Sequence, residues 1–195
     1  MFNYLKPAAL AFIFFLAAGS AHAGTWTLVE EESKVSFGSI KKNQVGEIHN
    51  FSGLSGTVTQ DGHASVSIDV KSIETNIDKR NERMLKWVFD AAKPKITIQS
   101  KIDMKDISQL AVGATTTMDM DGELKINDTS IELEAELFVA RLSEKRILVT
   151  SDGMIMLSTK ALGIDKAIDM LKKVAKLPGI TRVTPVSFRF VFKAD

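Results

Sequence analysis

The stretch IDVKSIETNIDKRNERMLKWVFDAAKPKITIQSKI, residues Ile68–Ile102, reads as a strand, a polar turn, a short helix, a break at Pro94 and a second strand. Val66, Ile68 and Val70 alternate with Ser67, Asp69 and Lys71, the period-two pattern of a strand with one wet and one dry face. The pattern returns after Pro94, where Ile96, Ile98, Ser100 and Ile102 alternate with Thr97, Gln99 and Lys101. Between the strands, Leu85, Val88 and Phe89 fall at helical spacing, with Met84 and Trp87 beside them. A helix this apolar has to lie against something, and the rest of the chain decides what.

Upstream, Lys6 precedes an apolar run, Ala8 to Ala18, followed by Gly19, Ser20 and Ala21-His22-Ala23. A basic start, an apolar centre and a small-residue cleavage site are the layout of a secretory signal peptide. Residues 1–23 are therefore expected to be removed, leaving 24–195 as a single domain of about 170 residues, a usual domain size. The apolar run falls short of the roughly 20 residues that span a bilayer, so no stable membrane insertion is expected after cleavage. The chain has no cysteine, which excludes disulfides, thiolate nucleophiles and thiolate metal sites. An exported chain without disulfides points to the bacterial periplasm. Once Lys6 is gone, the 25 basic residues fall to match the 24 acidic ones, and no basic footprint for nucleic acid remains.

Downstream the alternation continues. Thr116, Met118 and Met120 lead to Asp121-Gly122, read as a tight turn, and Leu124 and Ile126 return on the next strand. Ile131, Leu133, Ala135 and Leu137 alternate with Glu132, Glu134 and Glu136, and the pattern slips at Leu137-Phe138, which predicts a bulge that re-aims Phe138. Ile107 to Gly113 reads as a connection, and Ser151-Asp152-Gly153 as a hairpin between Ile147–Thr150 and Met154–Ser158. A second helix is predicted from about Ile164 to Lys176, with Ile164, Ala167, Ile168, Leu171 and Val174 on one stripe. Phe188, Phe190 and Phe192 share one face of the last strand. Many short alternating strands joined by tight turns argue for an antiparallel sheet, as a closed barrel or, nearly as well on periodicity, a two-sheet sandwich.

Catalytic chemistry finds little support. His49 and His63 stand apart and read as surface or strand-end residues, and no recognisable catalytic motif is present. No catalytic residue and no enzyme activity is expected. Asp119 and Asp121 lack the oxygen-rich loop that Ca²⁺ needs, so no metal site is expected either. The apolar faces are more informative. Met84, Met118, Met120, Met154, Met156 and Met170 are spread over strands and helices, and methionine suits adaptable apolar surfaces as well as ordinary cores.

The same opening stretch resembles the YceI-like family of periplasmic polyisoprenoid-binding proteins. The resemblance is carried by Trp26, Ser36-Phe37, Phe51 followed by Gly53 and Gly56, Ile68-Asp69-Val70, Ser72-Ile73-Glu74-Thr75, Arg80, Leu85, Phe89-Asp90 and Pro94. Departures are Arg80-Asn81 where the family usually has Arg-Asp, Lys93 where an aromatic often precedes the proline, and a longer Asp165–Gly179 segment.

The resemblance implies a mainly β fold, an extended, antiparallel, eight-stranded, lipocalin-like barrel with two short helices. Its lumen would carry a long-chain lipid: a polyisoprenoid, an isoprenoid quinone or a fatty chain. No cofactor beyond such a bound lipid or quinone is expected, and a homodimer is compatible with it. The lumen candidates are Phe37, Phe51, Met84, Trp87, Val88, Phe89, Ile98, Met118, Met120, Leu124, Phe138, Met154, Met156, Phe188 and Phe190. Ser72, Thr75 and Arg80 are candidates for the lipid's polar head, with helix capping and turn fixing as their alternative role. The competing functional reading is a protein-interaction or assembly module whose barrel is filled by its own side chains.

Overall fold

The computed structural model describes residues 24–90 and 92–195; the expected signal peptide, residues 1–23, lies outside the described residues. In chain order the strands are β1 (Trp26–Leu28), β2 (Lys34–Lys41), β3 (Val45–Phe51), β4 (Leu54–Val58), β5 (His63–Asp69) and β6 (Ile73–Glu74). Helix α1 (Asp78–Trp87) follows, then β7 (Lys95–Lys101) and α2 (Met104–Gln109). The chain continues through β8 (Thr115–Ile126), β9 (Thr129–Ser143), β10 (Arg146–Ser151), β11 (Ile155–Ser158), α3 (Asp165–Val174) and β12 (Val183–Ala194).

Eight strands, β1-β4-β5-β7-β8-β9-β10-β12, form a closed antiparallel ring, sealed where Trp26 pairs with Ala194. The other four segments extend its wall. β2 pairs with β12 and β3, β3 also pairs with β6, and β11 pairs with β12. Each extension continues a ring strand across a short break: β1 into β2, β4 back into β3, β5 into β6, and β10 into β11. The twelve segments are therefore eight strands, four of them broken, in simple up-and-down order, each beside its neighbours in sequence. Closure pairs every internal edge of the ring, and the alternating dry faces all turn inward.

The breaks have local causes. Between β1 and β2 a 3₁₀ turn at Glu30–Glu32 is closed by the Ser33 N–H donating to Glu30 O at 3.0 Å. The buried Ser33 hydroxyl donates to Val29 O at 2.7 Å and accepts the Val191 N–H at 3.0 Å, tying the kink to β12. Between β3 and β4, the chain at Gly53 runs so close to the 3₁₀ turn that follows β5 (Val70–Ser72) that a Cβ there would lie 2.9 Å from Ser72 Cβ. Only glycine fits that approach.

Several expectations from sequence change. Asp121-Gly122 is no turn: β8 runs unbroken through it, and a Cβ on Gly122 would meet Gln99 O at 2.6 Å, so glycine marks close strand approach instead. The β8–β9 register holds from Thr115↔Ala140 to Ile126↔Thr129, so no bulge occurs at Leu137-Phe138; the irregularity sits between Arg146 and Ile147. Ser151-Asp152-Gly153 is a break in one strand and no hairpin, since β10 and β11 both pair with β12. The connection after Ile102 contains α2, so there are three α-helices among the described residues, with Asp103 accepting from the Lys105 N–H at the start of α2. Among the described residues no helix is long and apolar enough to cross a membrane.

Candidate functional site

The inward faces enclose a cavity of about 580 Å³, well inside the size range of small-molecule sites. Its deep part is walled by aliphatic and aromatic side chains of the ring, including Ile68, Ile98, Leu124, Leu137, Val139 and Phe190. Helix α3 adds Ile168 and Leu171, and its N-cap residue adds Ile164.

Toward one end the wall changes character on three elements at once. On β2 the lining residues run Val35, Phe37, Ser39, Lys41. On β3, in register with them, they run Phe51, His49, Glu47; Val35 pairs with Phe51, Phe37 with His49 and Ser39 with Glu47. On α1 and the two residues after it they run from Phe89, Val88 and Met84 to Arg83, Arg80 and Lys79. Strand parity and helical spacing keep each set on the lumen side. Each series passes from apolar to charged in the same direction, over about 12 Å along α1 from Val88 to Arg80.

The aromatic level is continuous. Phe37 stacks on Phe51 with centroids 5.3 Å apart, Phe51 meets Phe89 edge-on at 6.0 Å, and Phe37 meets the His49 ring at 5.1 Å. Such contacts add roughly 0.5–1.5 kcal/mol each beyond area burial. His49 Nε2 lies 3.1 Å from Ser39 Oγ, while Nδ1 has no partner. Burial lowers the His49 pKa, and the positive charge of Arg80 pushes the same way, so the imidazole is held neutral.

Glu47 sits at the centre of the charged level. Its carboxylate accepts from Lys41 Nζ at 2.6 Å and from Arg80 Nη1 at 2.6 Å. Burial works against its charge, but these hydrogen bonds and the two cations outweigh it and hold its pKa below the ordinary carboxylate value. Arg80 Nη2 donates to Thr75 O at 2.5 Å, and its buried Nε has no partner. The guanidinium thus joins α1 to the chain leaving β6 and to β3.

Of the lumen candidates named from sequence, Phe37, Phe51, Met84, Val88, Phe89, Ile98, Met118, Met120, Leu124, Phe188 and Phe190 line the cavity. Trp87, Phe138, Met154 and Met156 do not. Trp87 precedes Val88 by one residue, a rotation of about 100° on a helix, and lies half-buried on another face. Phe138 faces outward because the alternation through Leu137 and Val139 never slips. Met154 and Met156 are 73% and 61% exposed, with Ile155 and Leu157 turned inward in their place. In the run Met154-Ile155-Met156-Leu157 every position is apolar, so there was no alternation to assign the faces.

Among the polar candidates only Arg80 reaches the cavity. Thr75 is 1% exposed, with its N–H and hydroxyl both donating to Asn81 Oδ1. Asn81 thereby fixes the turn before α1, whose own N-cap, Ile77, makes no side-chain bond. Ser72 donates to Asp69 O at 2.7 Å and packs against Gly53 outside the lumen. His63 is exposed, but His49 is 3% exposed and lines the lumen, contrary to its surface reading. The two-residue steps Glu47, His49, Phe51 were the signal for it, since they share the face of a residue expected inside.

A family model for the YceI-like domain matches residues 26–192. No curated protein matches the chain. Among solved structures, a polyisoprenoid binding domain from Saccharophagus degradans, implicated in plant cell wall breakdown, is 30% identical with a TM-score of 0.85; the match covers 87% of this chain and 98% of that one. Burkholderia cenocepacia BcnA matches at 18% identity and TM-score 0.64, over 84% of this chain and 98% of that one. A Campylobacter jejuni YCEI protein matches at 14% identity and TM-score 0.53, over 75% and 84%. The latter two support the fold alone.

Proposed function

Because the chain belongs to the YceI-like family, we propose that it binds a long-chain, isoprenoid-type lipid in its lumen and carries or sequesters it in the periplasm without chemical change. The observation that carries this reading is the graded wall, apolar at depth and charged at one end on β2, β3 and α1 together. A filled core needs no such gradient; an amphiphile does. The related domain described as polyisoprenoid binding supports the choice of lipid class. The 580 Å³ of open lumen weighs against a barrel filled by its own side chains.

Affinity would come from burying the chain, at about 0.8 kcal/mol per methylene before the cost of ordering it. Export would follow cleavage after Ala23. No cofactor besides the bound lipid takes part. The test is native mass spectrometry of gently purified protein, together with thermal shifts on adding polyprenols of increasing length. Co-purifying lipid and shifts that grow with chain length are expected. Apoprotein alone, with no shift from any polyprenol, refutes the reading. N-terminal sequencing of the periplasmic fraction should start at Gly24.

A further inference from the structure

On the outer wall the β8–β9 sheet ends beside a gap. β10 leaves β9 after the Ser151↔Leu137 pair, with one last bond from the Asp152 N–H to Glu136 O at 2.8 Å. β11 then runs along β12 alone. A cleft of about 390 Å³ remains between Glu132–Glu136 and Asp152–Leu157. Because Glu136 O points into it, the two-residue repeat directs the backbone N–H and C=O of Glu134 and Glu132 the same way. On the facing side Thr159 donates its N–H to Arg182 O at 2.8 Å, so the backbone of Leu157 turns toward β12 and that of Met156 toward the cleft. Two strand edges with unpaired backbone groups thus face one another, and such edges are templates for another strand. The opening is bounded at its far end by Gly163, where an added Cβ would lie 2.7 Å from Thr129 Oγ1. Leu133, Ile155 and Leu157 border both the cleft and the lumen, so its inner side is apolar.

The outer side has the opposite character. β8 and β9 put Asp119 opposite Glu136, Asp121 opposite Glu134 and Glu123 opposite Glu132, and all six are exposed. None of them forms an ion pair among the described residues. Like charges directly opposite one another destabilise a sheet, so cations laid over this array would relieve it.

We infer that the cleft receives a short extended segment of another protein, paired by its backbone to the β9 edge, with Lys or Arg at alternate positions and apolar residues between them. Alternate side chains of an added strand would lie beside Glu132, Glu134 and Glu136 at the same repeat of about 7 Å, and the others over the apolar inner side. A second copy of this chain docking by the same face would bring six more carboxylates to it, so the charge selects a basic partner. The surface is separate from the lumen mouth and its use requires no lipid.

The probe is a fluorescein-labelled peptide, Gly-Lys-Val-Lys-Val-Lys-Val-Gly, titrated against the purified protein. Binding should protect the Glu134 and Met156 amides from hydrogen exchange and weaken as salt rises from about 50 to about 500 mM. The E132Q/E134Q/E136Q variant should bind about tenfold or more weakly, the scale of three exposed ion pairs, with its melting temperature retained or raised. The same peptide N-methylated at its lysines, whose N–H groups would face the β9 edge, should also lose about tenfold or more. So should a peptide with its lysines and valines in two separate blocks. No binding of the alternating peptide overturns the inference. Equal binding of the block or N-methylated peptide, or binding that leaves both amides unprotected, also overturns it, since each reduces the contact to charge attraction.

Discussion

Phe37 and His49 face each other across the β2–β3 ladder with ring centroids 5.1 Å apart and planes inclined by 60°. The contact marks the level at which the lumen wall passes from apolar to polar. It also explains why a histidine can be buried there: the ring supplies an apolar face to Phe37 and a polar edge to Ser39.

That histidine should impose a pH dependence. Burial depresses its folded-state pKa below the ordinary 6.5, so between the two values the unfolded chain binds the extra proton. Stability therefore rises with pH across this window and is lost as pH falls below about 6.5. Urea midpoints measured between pH 7.5 and 5.5 should drop for the native protein and drop less for His49→Gln. Identical slopes would assign the effect to another group.

Glu47→Gln should destabilise by about 1–3 kcal/mol at pH 7, because it leaves the half-buried Lys41 and Arg80 without their shared partner. The folded-state pKa of Glu47 lies below the ordinary 4.5, so its contribution is present above that value and lost as pH falls through the folded value. The gap between the two proteins in denaturant titrations should accordingly narrow in acid. A gap that stays constant to pH 3 would contradict the ion-pair account.

Lumen and outer wall can be separated by bulk. Met118 lines the cavity, so Met118→Trp should reduce lipid loading while retaining a cooperative melt. Met156, 61% exposed on the neighbouring parity, should accept tryptophan with no change in loading. Equal loading of both variants would put the lipid somewhere other than the barrel.

Gly122→Val tests the unbroken course of β8. A Cβ there approaches Gln99 O to 2.6 Å, so the strands must part or shift, at about 1–3 kcal/mol. Were Asp121-Gly122 an exposed turn, valine would cost far less. A thermal midpoint that falls by several degrees supports the continuous strand.

Much of this architecture was legible because alternation is a local signal. Ile68, Val66, Ile96 and Ile98 declare their dry face in any strand pairing. Gly122 misled because glycine serves both turns and close approaches, and only the neighbouring Gln99 distinguishes them. Met154 to Leu157 gave no faces to read because all four residues are apolar. The charged mouth was hardest to see. Lys41, Glu47 and Arg80 are scattered in sequence, and only the β2–β3 register and the course of α1 bring them together.

The up-and-down order carries a consequence in time. Each of the eight strands pairs with its neighbour in sequence, so most of the wall can assemble through short-range steps. One seam differs: β12 must return to β1, joining Trp26 to Ala194 across almost the whole described chain. That long loop closure is entropically the most demanding contact and makes β12 docking the natural slow step. Until it docks, the tunnel is an open trough, so capacity for cargo arrives together with the last strand.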